Sequence, residues 1–199
     1  IDNEERLRQI VDLRKQKPEL KVLLSIGGWG SGRFSEMAAN DEYRRAFAAD
    51  CDRVVKEFAL DGIDIDWEYP TSSMANISSS PDDTENFTLL MQDIRAAIGN
   101  EKELTLATVA SARYIDFKAI LPSVDFVNIM AYDMASAPKH HSALYPSGHS
   151  GDITSDGAVT AHLKAGVPPS KLVMGMPFYG RGGDGYPSFQ DYNKVGNTD

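Results

Sequence analysis

The chain has 199 residues, 42% hydrophobic and 25% charged, with a formal net charge of −9. That charge speaks against nucleic acid and anionic membrane as partners. No run of about 20 apolar residues offers a membrane span, and the single cysteine, Cys51, excludes an intrachain disulfide. The chain opens at Ile1 on a polar helix rather than a signal peptide, as a mature or trimmed chain does.

The spacing of Leu7, Ile10, Val11 and Arg14 predicts a helix over 2–17, which Pro18 ends. Lys21–Ile26 reads as an apolar strand of the kind buried on both faces in parallel sheets. It opens into Gly27-Gly28-Trp29-Gly30, where Trp29 is either a core plug or a stacking platform. Residues 41–58 form a helix with Tyr43, Phe47, Cys51, Val54, Val55 and Phe58 on one stripe, which makes Cys51 a packed core thiol. After a Ser/Thr/Pro-rich loop over 71–81, a helix from about Asp82 turns Phe87, Leu90, Met91, Ile94 and Ile98 inward and stops near Gly99. Leu104–Val109 is a strand, Tyr114–Leu121 a short helix, and Phe126–Asp133 a strand with a polar tip. The loop 134–154 holds His140, His141 and His149, but no second ligand cluster has metal spacing, so it reads as solvated. A helix over 155–164 ends at Gly166, and Leu172–Pro177 is the last strand, leading into Phe178-Tyr179-Gly180-Arg181. The Gly-, Pro- and Asn-rich tail shows no further element. Five strands alternating with helices predict an α/β fold with a parallel sheet, either doubly wound or part of a closed barrel. No phosphate-binding glycine motif follows a strand.

The stretch between the second predicted helix and the loop, Asp61-Gly62-Ile63-Asp64-Ile65-Asp66-Trp67-Glu68-Tyr69-Pro70, organises the rest. As a strand it puts Asp64, Asp66 and Glu68 on one face, roughly 6.6 Å apart in succession, and Ile63, Ile65 and Trp67 on the other. Three acids in a row repel one another, and in a partly dry site some must keep protons at neutral pH. Pro70 stops the ladder, so Glu68 stands at the strand's C-terminal end, where parallel α/β folds build active sites. Other polar groups gather at strand ends: Ser25 and Trp29; Met130, Tyr132 and Asp133; Tyr179 and Arg181. Carboxylates with aromatics and no metal cage make the inventory of a sugar site.

Here the sequence resembles glycoside hydrolase family 18, the chitinases. Ser25-Ile26-Gly27-Gly28 is similar to the family's S-x-G-G, Asp61–Glu68 to its D-x-x-D-x-D-x-E, Met130–Asp133 to its M-x-Y-D, and Met176–Arg181 to its seventh strand and arginine. The resemblance implies a TIM (β/α)8 barrel that hydrolyses β-1,4-linked N-acetylglucosamine polymers with retention, the substrate's own acetamido oxygen serving as nucleophile. It implies Glu68 as general acid and then base, Asp66 orienting the acetamido group, Asp64 sharing a proton with Asp66, and Tyr132 steadying the acetamido oxygen. Trp29, Met130, Asp133, Tyr179 and Arg181 would line sugar subsites, with Ser25 beneath the acids and Asp61 structural. No cofactor and no metal is implied. The partner is chitin or another N-acetylglucosamine glycan, and because polymeric chitin lies outside cells, the expected location is secreted or extracytoplasmic. Nothing in the sequence sets the oligomeric state.

A complete barrel takes about 250 residues. The expectation is therefore a partial catalytic domain over 1–199, covering about strands three to seven and lacking the first strands and the last. Three alternatives stay open: an endo-β-N-acetylglucosaminidase on N-glycans, a lectin-like barrel that binds chitin without cutting it, and a Mg²⁺ site on Asp64 and Asp66 for phosphoryl transfer. Glu68 argues against the lectin. The absence of a basic phosphate loop beside the acids argues against the last.

Overall fold

The computed structural model describes residues 2–181. They form two compact units, one drawn from residues up to 107 and from 114–126, the other from 108–113 and from 127 onward. The predicted featureless tail lies outside the described residues.

In the first unit, three parallel strands line up side by side: β1 (Leu23–Gly27), β2 (Gly62–Asp66) and β3 (Glu103–Val109), the last running into the second unit. The register sets Ser25 beside Asp64 and Asp64 beside Thr105. The alternation of β2 is as its sequence demands: Ile63, Ile65 and Trp67 are buried while Asp64, Asp66 and Glu68 keep partial exposure. Four helices belong to this unit before β3: α1 (Asn3–Asp12), α2 (Phe34–Ala38), α3 (Asp41–Glu57) and α4 (Asp83–Ile98). Trp67 stacks on Phe34 of α2 at 5.4 Å and meets Phe87 of α4 edge-on at 5.5 Å, so the apolar face of β2 is the face that the helices cover. Each such buried side chain contributes about 1.5–3 kcal/mol. Asn40 caps α3 through the Tyr43 amide, and α4 buries Phe87, Leu90, Met91, Ile94 and Ile98, the five positions its spacing selects.

Several expectations need correction. The first helix ends at Asp12, continues as a 3-10 turn over Leu13–Lys15, and buries no residue. β1 is not buried on both faces: Ser25 and Gly27 are exposed and the rest half-buried, because among the described residues the strand pairs with β2 alone. In α3 the inward position is Arg44, not the exposed Tyr43. Arg44 is held by Asp93, Asp41 and the Ala38 carbonyl, which satisfies a charge that burial would otherwise penalise. The short helix α5 spans only Phe117–Ile120, started by the Asp116 side chain; Tyr114 stands outside it at φ +75°.

The second unit carries β4 (Phe126–Met130, whose first residue belongs to the first unit), α6 (Ser155–Lys164) and β5 (Leu172–Met174), with Asn128 of β4 in parallel register with Val173 of β5. Thr154 caps α6 through the Gly157 amide. Ala110, Ile129, Ala131 and Ala158 form its core, with Ile153 and Leu172 against them. His162 is fully buried: Nδ1 donates to the Ala158 carbonyl and Nε2 lies 2.8 Å from the Thr108 hydroxyl. Burial lowers its pKa, so the ring is neutral. β4 and β5 both stop three residues short of the predicted ends, which leaves Tyr132, Asp133 and Met176 outside the ladders.

Candidate functional site

The acidic row is built by backbone close to backbone. Gly27 has φ +127°, and a Cβ there would lie 2.0 Å from the Asp66 carbonyl oxygen. Only glycine lets β1 pass so near the strand that carries the acids. The Gly28 amide then donates to that same carbonyl at 2.8 Å. Arg14 and the Val22 amide both donate to the Asp61 carboxylate at the other end of the row, which places Asp61 in a structural role.

Asp64 is held from both sides. Ser25 donates to Oδ2 at 2.8 Å and Thr105 to Oδ1 at 2.5 Å. Asp66 differs: among the described residues its Oδ1 is buried without a hydrogen-bond partner. Burial, then the charges of Glu68 and Asp64, push Asp66 up to about 7. A carboxyl so placed keeps a proton at mildly acid pH and can donate as well as accept.

Beyond Glu68 an aromatic group forms. Tyr69 stacks on Tyr114 at 5.4 Å and 14°, and Trp29 meets Tyr69 edge-on at 6.4 Å. Trp29 is 61% exposed, so it is no core plug; its ring is open for stacking. Burial and the adjacent Glu68 hold the Tyr69 phenol above its usual range. Behind this group, Asp83 at the start of α4 is fully buried and accepts from the Ser35 hydroxyl and from the Ser80 and Thr71 amides, pinning the 71–81 loop that follows the acids.

The second unit holds the other predicted residues. Met130, half-buried, is the last residue of β4. Gly175 makes room for Tyr132: a Cβ there would lie 2.9 Å from the Tyr132 ring and 2.7 Å from the Ile129 carbonyl oxygen. Asp133 collects Tyr179, whose hydroxyl donates to Oδ1 at 2.8 Å, and Arg181, whose Nε lies 2.5 Å from the same oxygen. Burial and the Asp133 hydrogen bond keep the Tyr179 phenol raised. Tyr132 meets Tyr179 edge-on at 6.3 Å. The structure thus brings Tyr132, Asp133, Tyr179 and Arg181 together, and likewise Ser25 with Asp64.

The solvated-loop reading of 134–154 fails for His141. Its side chain is only 11% exposed, its ring stacks on Tyr179 at 5.2 Å, and Nδ1 accepts from the Asp133 amide at 3.1 Å. A cavity of about 380 Å³ opens beside it, lined by residues 137–142 with Tyr179, Gly180 and Arg181. The sequence reading also passed over Thr105, Tyr114 and Asp83. Thr105 had a usable signal, since it is the one polar residue between Leu104 and Leu106. Among the described residues no group of three or more His, Cys, Asp or Glu could hold a metal.

The family model described as Glycosyl hydrolases family 18 matches residues 1–195. Chitinase A1 of Niallia circulans is 38% identical over 208 residues, covering 90% of this chain and 29% of that protein. The crystal structure of the chitinase domain of the spore coat protein CotE from Clostridium difficile superposes with a TM-score of 0.92 at 38% identity, over 98% of this chain and 60% of that one. A family 18 N-acetylglucosaminidase from Paenibacillus barengoltzii gives 0.82 at 39% identity, over 87% and 56%. The chain therefore spans less than two thirds of each relative. Its fold is α/β with parallel strands, a segment of a TIM barrel.

Proposed function

The chain belongs to the family 18 glycosyl hydrolases, and from that premise we propose that it hydrolyses β-1,4 bonds between N-acetylglucosamine units of chitin or chitooligosaccharides. The observation that carries this is the acid row: Glu68 ends it, and beside Glu68 stands an Asp66 that burial pushes up to about 7 and whose Oδ1 lacks a partner. A substrate amide N–H is the group that would satisfy that oxygen.

In this reading Glu68 delivers its proton to the glycosidic oxygen as the bond to the anomeric carbon breaks. The substrate's acetamido carbonyl oxygen closes onto that carbon and gives an oxazolinium ion. Asp66 holds the acetamido N–H. Asp64, braced by Ser25 and Thr105, faces Asp66 along the strand and shares its proton. Glu68, now a carboxylate, takes a proton from water, whose oxygen adds to the anomeric carbon as the bond from the acetamido oxygen opens and the acetamide is restored, with net retention. Tyr132 steadies the acetamido oxygen. Trp29 stacks on a sugar ring, and Met130, Asp133, Tyr179 and Arg181 line subsites. The five strands take the places of the third to seventh of the eight-stranded barrel. A substrate that is an extracellular polymer places the protein outside the cytoplasm. Among the described residues no helix is long and apolar enough to cross a membrane.

The test is hydrolysis of a chromogenic chitooligosaccharide by the chain and by Glu68→Gln, with binding measured for both. Loss of the general acid should cost at least about 10²-fold in kcat while binding persists. Equal rates would refute the assignment. A second reading, release of single N-acetylglucosamine units, is favoured by the likeness to the Paenibacillus N-acetylglucosaminidase; product sizes separate the two.

A further inference from the structure

We propose that His141 is a positioning residue for sugar binding: its neutral ring, protonated on Nε2, clamps the tip of β4 and thereby sets Asp133 for Tyr179 and Arg181. This rests on the chitinolytic reading above. Asp133 follows the strand with φ +55°, a left-handed conformation that few residues other than glycine visit and that neighbouring groups can hold in place. His141 does so twice. Its Nδ1 accepts from the Asp133 amide at 3.1 Å, and its carbonyl accepts from the Met134 amide at 2.9 Å. Its ring also stacks at 26° on Tyr179, whose hydroxyl donates to Asp133. One residue from the loop that follows Asp133 thus touches the backbone, the carboxylate and the aromatic partner of the same cluster.

The protonation state follows from geometry. An amide always presents a hydrogen, so a proton on Nδ1 would face the Asp133 N–H at 3.1 Å. Nδ1 must therefore offer its lone pair, and the proton of the neutral ring sits on Nε2. The Asp133 carboxylate lies 3.4 Å from that same Nδ1. Lys139 and His140 line the same cavity, and the His149 ring is 6.0 Å from that of His140.

Two measurements decide this. The first needs no substrate: two-bond ¹H–¹⁵N correlation of the four histidine rings, assigned with His141→Asn. The expected spectrum has an Nε2–H tautomer at His141 and the opposite, Nδ1–H, at buried His162. An Nδ1–H tautomer at His141, or a charged ring at pH 7.5, overturns the inference. The second is kinetic. His141→Leu removes the acceptor and should raise KM by about threefold to tenfold, the worth of one hydrogen bond, with a smaller change in kcat. His141→Asn keeps an acceptor that takes no proton. It should hold KM within about twofold of wild type, a rescue that a merely space-filling role would not give. Equal KM values for Leu and wild type, or a KM for Asn raised as far as that of Leu, overturn it. If the wild-type chain neither binds nor cleaves chitooligosaccharide, the functional reading falls instead, and the ring spectrum alone decides the clamp.

Discussion

Replacing Asp83 by Ala should unpin the loop that follows the acid row, and the cost is calculable. The carboxylate is fully buried and accepts from the Ser35 hydroxyl at 2.7 Å, the Ser80 amide at 2.7 Å and the Thr71 amide at 3.2 Å. Thr71 is exposed and recovers a water. The buried Ser35 hydroxyl does not, and a buried group left unpaired costs about 1–3 kcal/mol; the half-buried Ser80 amide adds a part of that. Removing a negative charge from the first turn of α4 adds about 0.3–1 kcal/mol. The sum is about 3 kcal/mol. Both tryptophans, Trp29 and Trp67, lie in the first unit, and Trp67 sits between Phe34 and Phe87, so tryptophan fluorescence reports on that unit. With a urea slope of about 2 kcal/mol per molar, the midpoint should fall by about 1.5 M. Asp83→Asn keeps one acceptor oxygen and should lose about half as much. A midpoint for Asp83→Ala within about 0.3 M of wild type would refute the hydrogen-bond accounting.

Asp66→Asn should change the pH dependence of stability. Asp66 is raised to about 7 in the folded chain, above the ordinary 3.9 of an unfolded aspartate. The folded state therefore binds the extra proton between about pH 4 and 7, and this group's contribution is present below pH 4 and lost as pH climbs through 7. The variant escapes that loss, so urea midpoints should show its advantage over wild type growing from pH 4 to pH 8; a constant gap would contradict the shift. Cys51 is 2% exposed and its thiol is pushed up to about 12 by burial. A disulfide reagent at pH 8 should leave it unmodified in the native chain and label it within minutes in urea, whereas native labelling at the rate of a free thiol would contradict its packing.

Much of the fold that positions the candidate site was legible where local pattern and burial coincide. The acid row needed only the two-residue period of a strand, and the structure returns the same parity for all six residues from Ile63 to Glu68. The helix over 83–98 was equally plain because, apart from Asp83 and Thr88, its buried positions are apolar. The misses come from contacts distant in sequence. Arg44 takes the buried position beside Tyr43 because Asp93, 49 residues away, neutralises it. β1 reads as doubly buried by composition, yet strand neighbours decide burial and composition does not name them. His141 looked like a loop histidine because its partners, Asp133 and Tyr179, lie 8 and 38 positions off in the numbering and meet only in space.

The central claim is that the substrate's own acetamido group supplies the nucleophile while this chain supplies Glu68. The most direct measurement compares two oligosaccharides of equal length on the wild-type chain, one fully N-acetylated and one deacetylated at the sugar that contributes the anomeric carbon, with the product anomer followed by NMR. The account predicts cleavage of the first with β-anomer released initially, and no detectable cleavage of the second. Equal cleavage of both, or initial release of the α-anomer, would contradict it.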